Sequence, residues 1–297
     1  MTSVLVVGMA TVDFLFEVDV MPTSTEKYSA GNAQIIGGGG AANAACAIAK
    51  LGGHALLAAR VGDDMIGKLI VEELKVNSVD CSLLIASDNA RSSFSSVLLD
   101  AQGERQIVNY RGCDLSDDVS AIELASPTAV LTDTRWTKGT IAALRLAREN
   151  GIPGVLDAEA PCSPEAMALA SHIAFSRQGL ESLAGSLGSI SDIEAALRMV
   201  ATSYPAWIAV TDGGNGAYIL NKGEFDHEPA SMVDVLDTLG AGDVWHGAFT
   251  WRLGCGNNEK DSVRFANAAA TLKCSRSGGG RSSPDLAEVM ALLEQQV

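Results

Sequence analysis

No apolar run in this 297-residue sequence approaches the length of a membrane-spanning helix. Nor does a basic segment precede the first hydrophobic stretch. Residues 1–10 read directly as a strand, so the expectation is a chain without a secretory leader, at work in the cytoplasm. Positive charge is scarce: 21 Lys and Arg stand against 36 Asp and Glu, a net charge of −15. Polyanion binding depends on lysines and arginines neutralising phosphates, so nucleic acid is not an expected partner. Aromatic residues amount to 5% and form no stripe on which bases would stack. The cysteines (Cys46, Cys81, Cys113, Cys162, Cys255 and Cys274) include no C-x-x-C pair, which argues for buried thiols in a reducing compartment over a disulfide or zinc framework. His54, His172, His227 and His246 have no metal-ligand spacing, and His246 reads as packing within its own helix. No repeat, low-complexity tract or linker divides the chain, so 1–297 is expected to be one domain. What the sequence does have is 47% hydrophobic residues, enough for a sizeable core.

Short β-branched runs alternate with helix-favouring ones. Strands are expected at 3–8, 54–61, 129–133, 154–157, 172–175 and 207–211. Helices are expected at 41–51, 67–76, 140–150, 164–170, 191–201, 242–253, 261–274 and 284–296, with a hairpin at 217–225. This alternation implies right-handed βαβ units and an α/β fold, a three-layer sandwich around a mostly parallel sheet. Two extended insertions break the rhythm. One comprises 14–20 and 28–36 around Pro22. The other comprises 92–100 and 104–110 around a turn at 100–103. They are expected to pair as a small second sheet, with lid strands near 14–36 and 92–112.

Three glycine-rich turns carry possible chemistry. Gly37-x-Gly39-x-x-Ala42 formally fits a dinucleotide fingerprint and so a nicotinamide dehydrogenase, but it does not follow the first strand. Close backbone approach to a small ligand, with Asn43 both donating and accepting, fits better. Gly62-Asp63-Asp64-Met65-Ile66-Gly67-Lys68-Leu69 is nearly a P-loop, yet Leu69 offers no hydroxyl for Mg²⁺ and two carboxylates would face the phosphates. A turn whose carboxylates cap the next helix is the stronger reading. The third turn, Gly240-Ala241-Gly242-Asp243, leads into a helix. Small residues let the backbone approach an anion at a helix N-terminus, where unpaired N–H groups and the macrodipole favour negative charge. Asp243 aims a carboxylate into the same space. An anion hole beside a base is what phosphoryl transfer to a hydroxyl needs. The competing reading is an ordinary cap, which does not require three small residues.

Two motifs carry a family resemblance: Gly37-Gly38-Gly39-Gly40-Ala41-Ala42-Asn43-Ala44-Ala45, and Asp237-Thr238-Leu239-Gly240-Ala241-Gly242-Asp243-Val244-Trp245-His246-Gly247-Ala248. Weaker matches are Val61-Gly62-Asp63-Asp64-x-x-Gly67 and Val210-Thr211-Asp212-Gly213-Gly214-x-Gly216-Ala217. With these, the chain resembles the ribokinase-like sugar kinases of the phosphofructokinase B family. The resemblance implies an α/β sandwich with a β-lid, ATP as co-substrate with Mg²⁺, room for a monovalent cation, and a homodimer paired through the lid strands. It implies Asp243 as catalytic base and Gly240, Ala241 and Gly242 as the anion hole. It implies Asp13, the Gly38-Gly39 backbone and Asn43 at the sugar hydroxyls. Thr211, Gly213 and Gly216 would lie near the nucleotide and Asn267 near the adenosine. One departure stands out. Where the family carries Asn-x-x-Glu for magnesium and phosphates, this chain has Ser176-Arg177-Gln178-Gly179, so no metal ligand is assigned.

The acceptor is less constrained, because fold and kinase chemistry do not fix it. In the family fold Lys27, Asn109 and Arg135 would border the sugar pocket, and two cations with an amide suit an anionic tail. Their local stretches resemble the sulfofructose kinase branch, as do Leu272-Lys273-Cys274 and Gly279-Gly280-Arg281. The expected reaction is therefore phosphorylation of the 1-hydroxyl of 6-deoxy-6-sulfofructose or a similar anionic ketose. Fructose, a sugar phosphate, a keto-deoxy sugar acid or a nucleoside remain as alternative acceptors, and a non-catalytic sugar sensor as an alternative class.

Overall fold

The computed structural model describes residues 2–102 and 104–295. Met1, Gly103, Gln296 and Val297 lie outside the described residues, and with them the last position of the expected 100–103 turn and of the expected 284–296 helix. The strands in chain order are β1 (Ser3–Gly8), β2 (Thr11–Val18), β3 (Asn32–Gly38), β4 (His54–Gly62), β5 (Ile85–Ser87), β6 (Phe94–Asp100) and β7 (Arg105–Tyr110). There follow β8 (Ala129–Thr132), β9 (Gly154–Asp157), β10 (His172–Ser176), β11 (Trp207–Thr211), β12 (Ala217–Asn221) and β13 (Glu224–Glu228). The first helices are α1 (Gly40–Lys50), α2 (Met65–Val76), α3 (Ser120–Glu123), α4 (Thr137–Glu149) and α5 (Pro164–Leu169). The rest are α6 (Arg177–Ala184), α7 (Ile190–Ser203), α8 (Ala241–Gly254), α9 (Glu259–Cys274) and α10 (Leu286–Glu294).

The large sheet has nine strands in the order β13-β12-β11-β10-β9-β8-β1-β4-β5, parallel except at the β12 and β13 edge. Its inner strand β1 buries Val4, Leu5, Val6 and Val7 completely, the continuous apolar run expected of a strand covered on both faces. The α/β fold with helices on a mostly parallel sheet is as expected. The smaller sheet, β3-β2-β6-β7, is the second one expected from the insertions.

Two helices position the chemistry. α1 is alanine-rich, and every residue from 41 to 48 is buried. α8 is buried on all sides from Val244 to Trp251, as a helix apolar all round should be. They meet through small residues: a Cβ on Gly247 would stand 2.7 Å from the Ala44 carbonyl. Aromatic packing fixes the far side of α8. Phe249 stacks on Trp207 and Trp245 at centroid distances of 4.9 and 5.0 Å. Truncating Phe249 to alanine would cost about 3–5 kcal/mol.

Some boundaries differ from expectation. β3 begins at Asn32, because Tyr28 closes a local loop in which its hydroxyl accepts from the backbone N–H groups of Thr23 and Ser24. β5 and α3 are too short to show periodicity, and α6 begins with a glycine in its first turn. The expectation of uniformly buried thiols is corrected as well. All six cysteines are free, but only Cys46 is buried, while Cys113 and Cys255 are exposed. Both exposed thiols sit at element ends, Cys113 beyond β7 and Cys255 at the C-cap of α8.

Candidate active site

The entrance to α8 is built for an open helix end. Gly240 adopts φ +78°, and a Cβ there would meet the Gly280 backbone at 2.6 Å, so only glycine fits. No side chain caps the helix. The amides of Gly240, Gly242 and Asp243 have no hydrogen-bond partner among the described residues. Ala241 departs from expectation, because its N–H closes the preceding turn onto the Thr238 carbonyl at 3.2 Å. Asn43 Nδ2 donates to Asp243 Oδ2 at 2.7 Å, a contact between α1 and α8 that their close packing permits. Asn43 Oδ1 is buried without a hydrogen-bond partner, and Asn43 itself lines none of the cavities described below. Desolvation pushes the Asp243 carboxyl above its ordinary range, and the Asn43 hydrogen bond opposes that rise.

Three aspartates converge around Gly40. A Cβ at that position would lie 3.4 Å from Asp243 Oδ1, 3.7 Å from Asp133 Oδ2 and 3.9 Å from Asp157 Oδ2. They border a cavity of about 220 Å³ together with Met9, Arg135, Glu159 and Gly242. Asp133 is committed to the backbone, accepting from the N–H groups of Met9, Ala41 and Arg135. Asp157 is buried, and desolvation followed by the neighbouring Asp243 holds its carboxyl well above the usual range. His246 packs within its helix, as expected, its ring edge-on to Trp245, and it also lines the cavity. Its Nδ1 lies 2.8 Å from the Gly242 carbonyl and its Nε2 3.6 Å from Asp157 Oδ1. Burial holds its ring pKa down.

A larger cavity of about 790 Å³ adjoins the first and shares Glu159, Ser176, Thr211 and Gly242 with it. Thr211, Gly213, Gly216 and Asn267 all line it. At Gly216, with φ +89°, a Cβ would overlap the Glu228 carbonyl. The Asn267 side chain is largely occupied, since Nδ2 donates to the Glu228 and Pro229 carbonyls and Oδ1 accepts from Trp245 Nε1. It therefore holds the wall of the cavity in shape. Exposed Met232 and Val235 make the mouth apolar.

On its other side the small cavity shares Met9, Thr134 and Arg135 with a recess of about 120 Å³. Arg60, Arg111 and Arg135 all line that recess. Arg60 is engaged by Asp117 at 2.8 Å and lies over the Trp136 ring. Arg111 has no polar partner among the described residues, and the guanidinium of Arg135 reaches only the Ala160 carbonyl, at 3.4 Å. Asp13 and Asn109 border none of these three cavities. They form one row across the small sheet, where Asn109 Nδ2 donates to Ser95 Oγ at 3.0 Å and the Ser95 hydroxyl bonds the Asp13 carboxylate. Burial raises the Asp13 carboxyl above its ordinary value. A Cβ on Gly38 would overlap Asp13 Oδ2, and Gly39, at φ +91°, abuts the Met9 carbonyl. Lys27 stands exposed in the loop between β2 and β3, also away from the three cavities.

Sequence reasoning missed Asp133, Asp157, Glu159 and Ser95. The available signal was position: Asp133 follows β8, Asp157 ends β9 and Glu159 follows it, all at the carboxyl edge of the sheet, where open α/β sheets bind ligands. The dinucleotide reading loses its context, since the Gly37 turn follows an antiparallel strand of the small sheet.

Comparison with known proteins gives a consistent picture. A family model for the pfkB family of carbohydrate kinases matches residues 1–286. The chain is 28% identical to a ribokinase of Bacillus subtilis over 99% of its own length and 100% of that protein's. It is also 28% identical to fructokinase-1 of Zea mays, over 87% of this chain and 88% of that one. Among solved structures, Arabidopsis thaliana ribokinase complexed with ribose and ATP superposes with a TM-score of 0.88 at 26% identity, covering 99% of this chain and 98% of that one.

Proposed function

The chain belongs to the pfkB family of carbohydrate kinases, and on that premise we propose that it transfers the γ-phosphoryl group of ATP to the 1-hydroxyl of an anionic ketose, 6-deoxy-6-sulfofructose or a close analogue. The observation that carries this reading is the junction of the cavities. Gly242 belongs to both the 790 Å³ and the 220 Å³ spaces, Asp243 faces the smaller one, Arg135 lines its other side, and Arg111 lines the recess that adjoins it there.

ATP occupies the larger cavity, over Thr211, Gly213 and Gly216, against the wall held by Asn267. Its γ-phosphate meets the bare amides at the head of α8, where the fixed donors and the helix dipole stabilise the charge of the transferring group. The sugar hydroxyl lies beside Asp243, which accepts its proton as the oxygen attacks phosphorus. Asn43 orients Asp243 through Nδ2 and offers Oδ1 to a sugar hydroxyl. Asp13, backed by Ser95, and the Gly38-Gly39 backbone approach the sugar as the small sheet closes over it, which excludes water. The anionic tail enters the recess of Arg111 and Arg135, whose forked donors suit a sulfonate. Lys27 and Asn109 join the acceptor only on closure of the lid. Mg²⁺ would neutralise phosphate charge when bound with ATP, and Glu159 at the shared edge of the two cavities, with Asp157 in the smaller one, fits a hard cation. Residues 1–297 act as one catalytic unit. The fully exposed edge strand β7, with Ile107 and Val108 in the open, supports pairing of two copies through the lid.

A neutral acceptor is the second reading, favoured by the likeness to a ribokinase and a fructokinase. A coupled ADP-release screen across sulfofructose, fructose, fructose 6-phosphate, ribose, adenosine and keto-deoxy acids separates the two. The anionic reading requires the highest kcat/KM with a sulfonated or phosphorylated ketose. Equal or better turnover of ribose or fructose removes it.

A further inference from the structure

The site has a carboxylate that the transfer mechanism does not use. Asp157 is more than nine-tenths buried and lines the 220 Å³ cavity, yet its Oδ1 has no hydrogen-bond partner. His246 Nε2 lies 3.6 Å away, beyond hydrogen-bond distance, and is turned to the Ala174 carbonyl at 3.4 Å. A buried carboxylate oxygen left bare is costly unless something satisfies it when the enzyme is loaded. Two residues on, Glu159 borders both cavities and makes no side-chain hydrogen bond among the described residues. Glu159 thus stands at the edge where the nucleotide space meets the acceptor space, and Asp157 lies on the acceptor side of that edge.

The same segment accounts for the departure at the start of α6. Ser176 turns its hydroxyl onto the Gly179 amide at 3.0 Å. A Cβ on Gly179 would stand 2.7 Å from the Ala158 carbonyl. No side chain can leave position 179 while residues 157–159 run where they do. The acid that follows, Glu181, is engaged by Arg177 and borders neither cavity. Here, then, the backbone of 157–159 fills the space that a side chain at 179 would need, and brings in two carboxylates of its own. Among the described residues there is no ready cage of three protein ligands. Magnesium does not require one, since it is commonly held by one or two carboxylates together with phosphate oxygens and water.

We propose that Asp157 and Glu159 are the magnesium-facing carboxylates of this enzyme, taking over from an Asn-x-x-Glu pair that the chain lacks. The proposal rests on the ATP-dependent reading but not on the identity of the acceptor. It is tested by titrating Mn²⁺ into the full-length enzyme with saturating ADP and no sugar, reading free Mn²⁺ by electron paramagnetic resonance. Asp157→Asn and Glu159→Gln are each expected to weaken Mn²⁺ binding about 10-fold, while ADP affinity in EDTA stays as in wild type. Unchanged Mn²⁺ affinity in both variants overturns the proposal, and a loss confined to sugar affinity reassigns the pair to the acceptor. If Asp157→Asn does not fold, Glu159→Gln, a half-buried position, decides alone. Failure of the wild-type enzyme to bind ADP at all would instead sink the kinase reading, and this proposal with it.

Discussion

The entrances to α2 and α8 look alike in sequence and differ in what they leave open. Both follow a glycine-bounded turn with an acidic residue. At α2, Asp64 consumes the turn: one oxygen accepts from the Gly67 amide and the Ser92 hydroxyl, the other from the Ser92 amide, and Ser92 Oγ in turn accepts from the Gly62 amide. At α8 the acidic residue sits inside the first turn, bonds to Asn43 on another helix, and leaves the amides of Gly240 and Gly242 bare, Gly242 lining a cavity. A helix N-terminus becomes a site only where the chain does not satisfy it from within.

The sharpest way to break this comparison is to remove each carboxylate in turn. Asp243→Asn is expected to lower kcat about 1,000-fold, measured by ADP release, with ADP binding retained. Its thermal stability at pH 7 should not fall. Burial raises the Asp243 carboxyl in the folded state, so its ionisation costs folding free energy that is absent below the ordinary carboxylate value and fully present above the raised one. Asp64→Ala should do the opposite, losing a cap worth about 1 kcal/mol with kcat unchanged. If the two variants exchange phenotypes, the assignment of the two turns is wrong.

A second test strikes the open end itself. Gly240→Ala forces a side chain into a left-handed conformation and against the Gly280 backbone. The backbone penalty alone is about 1–2 kcal/mol, and the displaced turn should lower kcat by about 10-fold or more. If kcat holds and only stability drops, the amides do not meet the phosphate.

These contrasts also bear on what was readable beforehand. The βαβ alternation and the glycine runs are local patterns, so the large sheet, the small sheet and the α8 entrance could be read from neighbouring residues. Ser95 could not, and Asp133 and Asp157 showed in sequence only their place at strand ends, because what each side chain meets or fails to meet is set by residues far along the chain. Asp133 clamps Met9 and Ala41, Ser95 links Asp13 to Asn109, and Asp157 is distinguished only by what it fails to touch. The commitment of Asn267 to Trp245 and to the Glu228 and Pro229 carbonyls is equally invisible in a motif.

The link between α1 and α8 gives a subtler readout. Asp243 must be ionised to take a proton, so activity should fall on acidification through its raised pKa, above the range where an ordinary aspartate would matter. Asn43 favours the ionised form through its hydrogen bond. Asn43→Ala should therefore move the acid limb of the pH–kcat profile further upward. An unmoved limb would mean that a different group titrates in catalysis.

The smallest effect separates the two cations expected to hold the acceptor's tail. Arg135 borders both the transfer cavity and the arginine recess, whereas Lys27 is exposed and borders neither. A charge-assisted hydrogen bond from a partly buried guanidinium is worth about 1.5–3 kcal/mol, so Arg135→Ala should raise KM for an anionic ketose at least 10-fold and leave a neutral one nearly untouched. An exposed lysine contributes less than about 1 kcal/mol. Lys27→Ala should accordingly change the same KM no more than about fivefold, and added salt should shrink even that difference. A larger loss at Lys27 than at Arg135 would mean that the small sheet swings far enough to carry its loop over the sugar, making the exposed side chain the principal contact with the tail and the recess a secondary one.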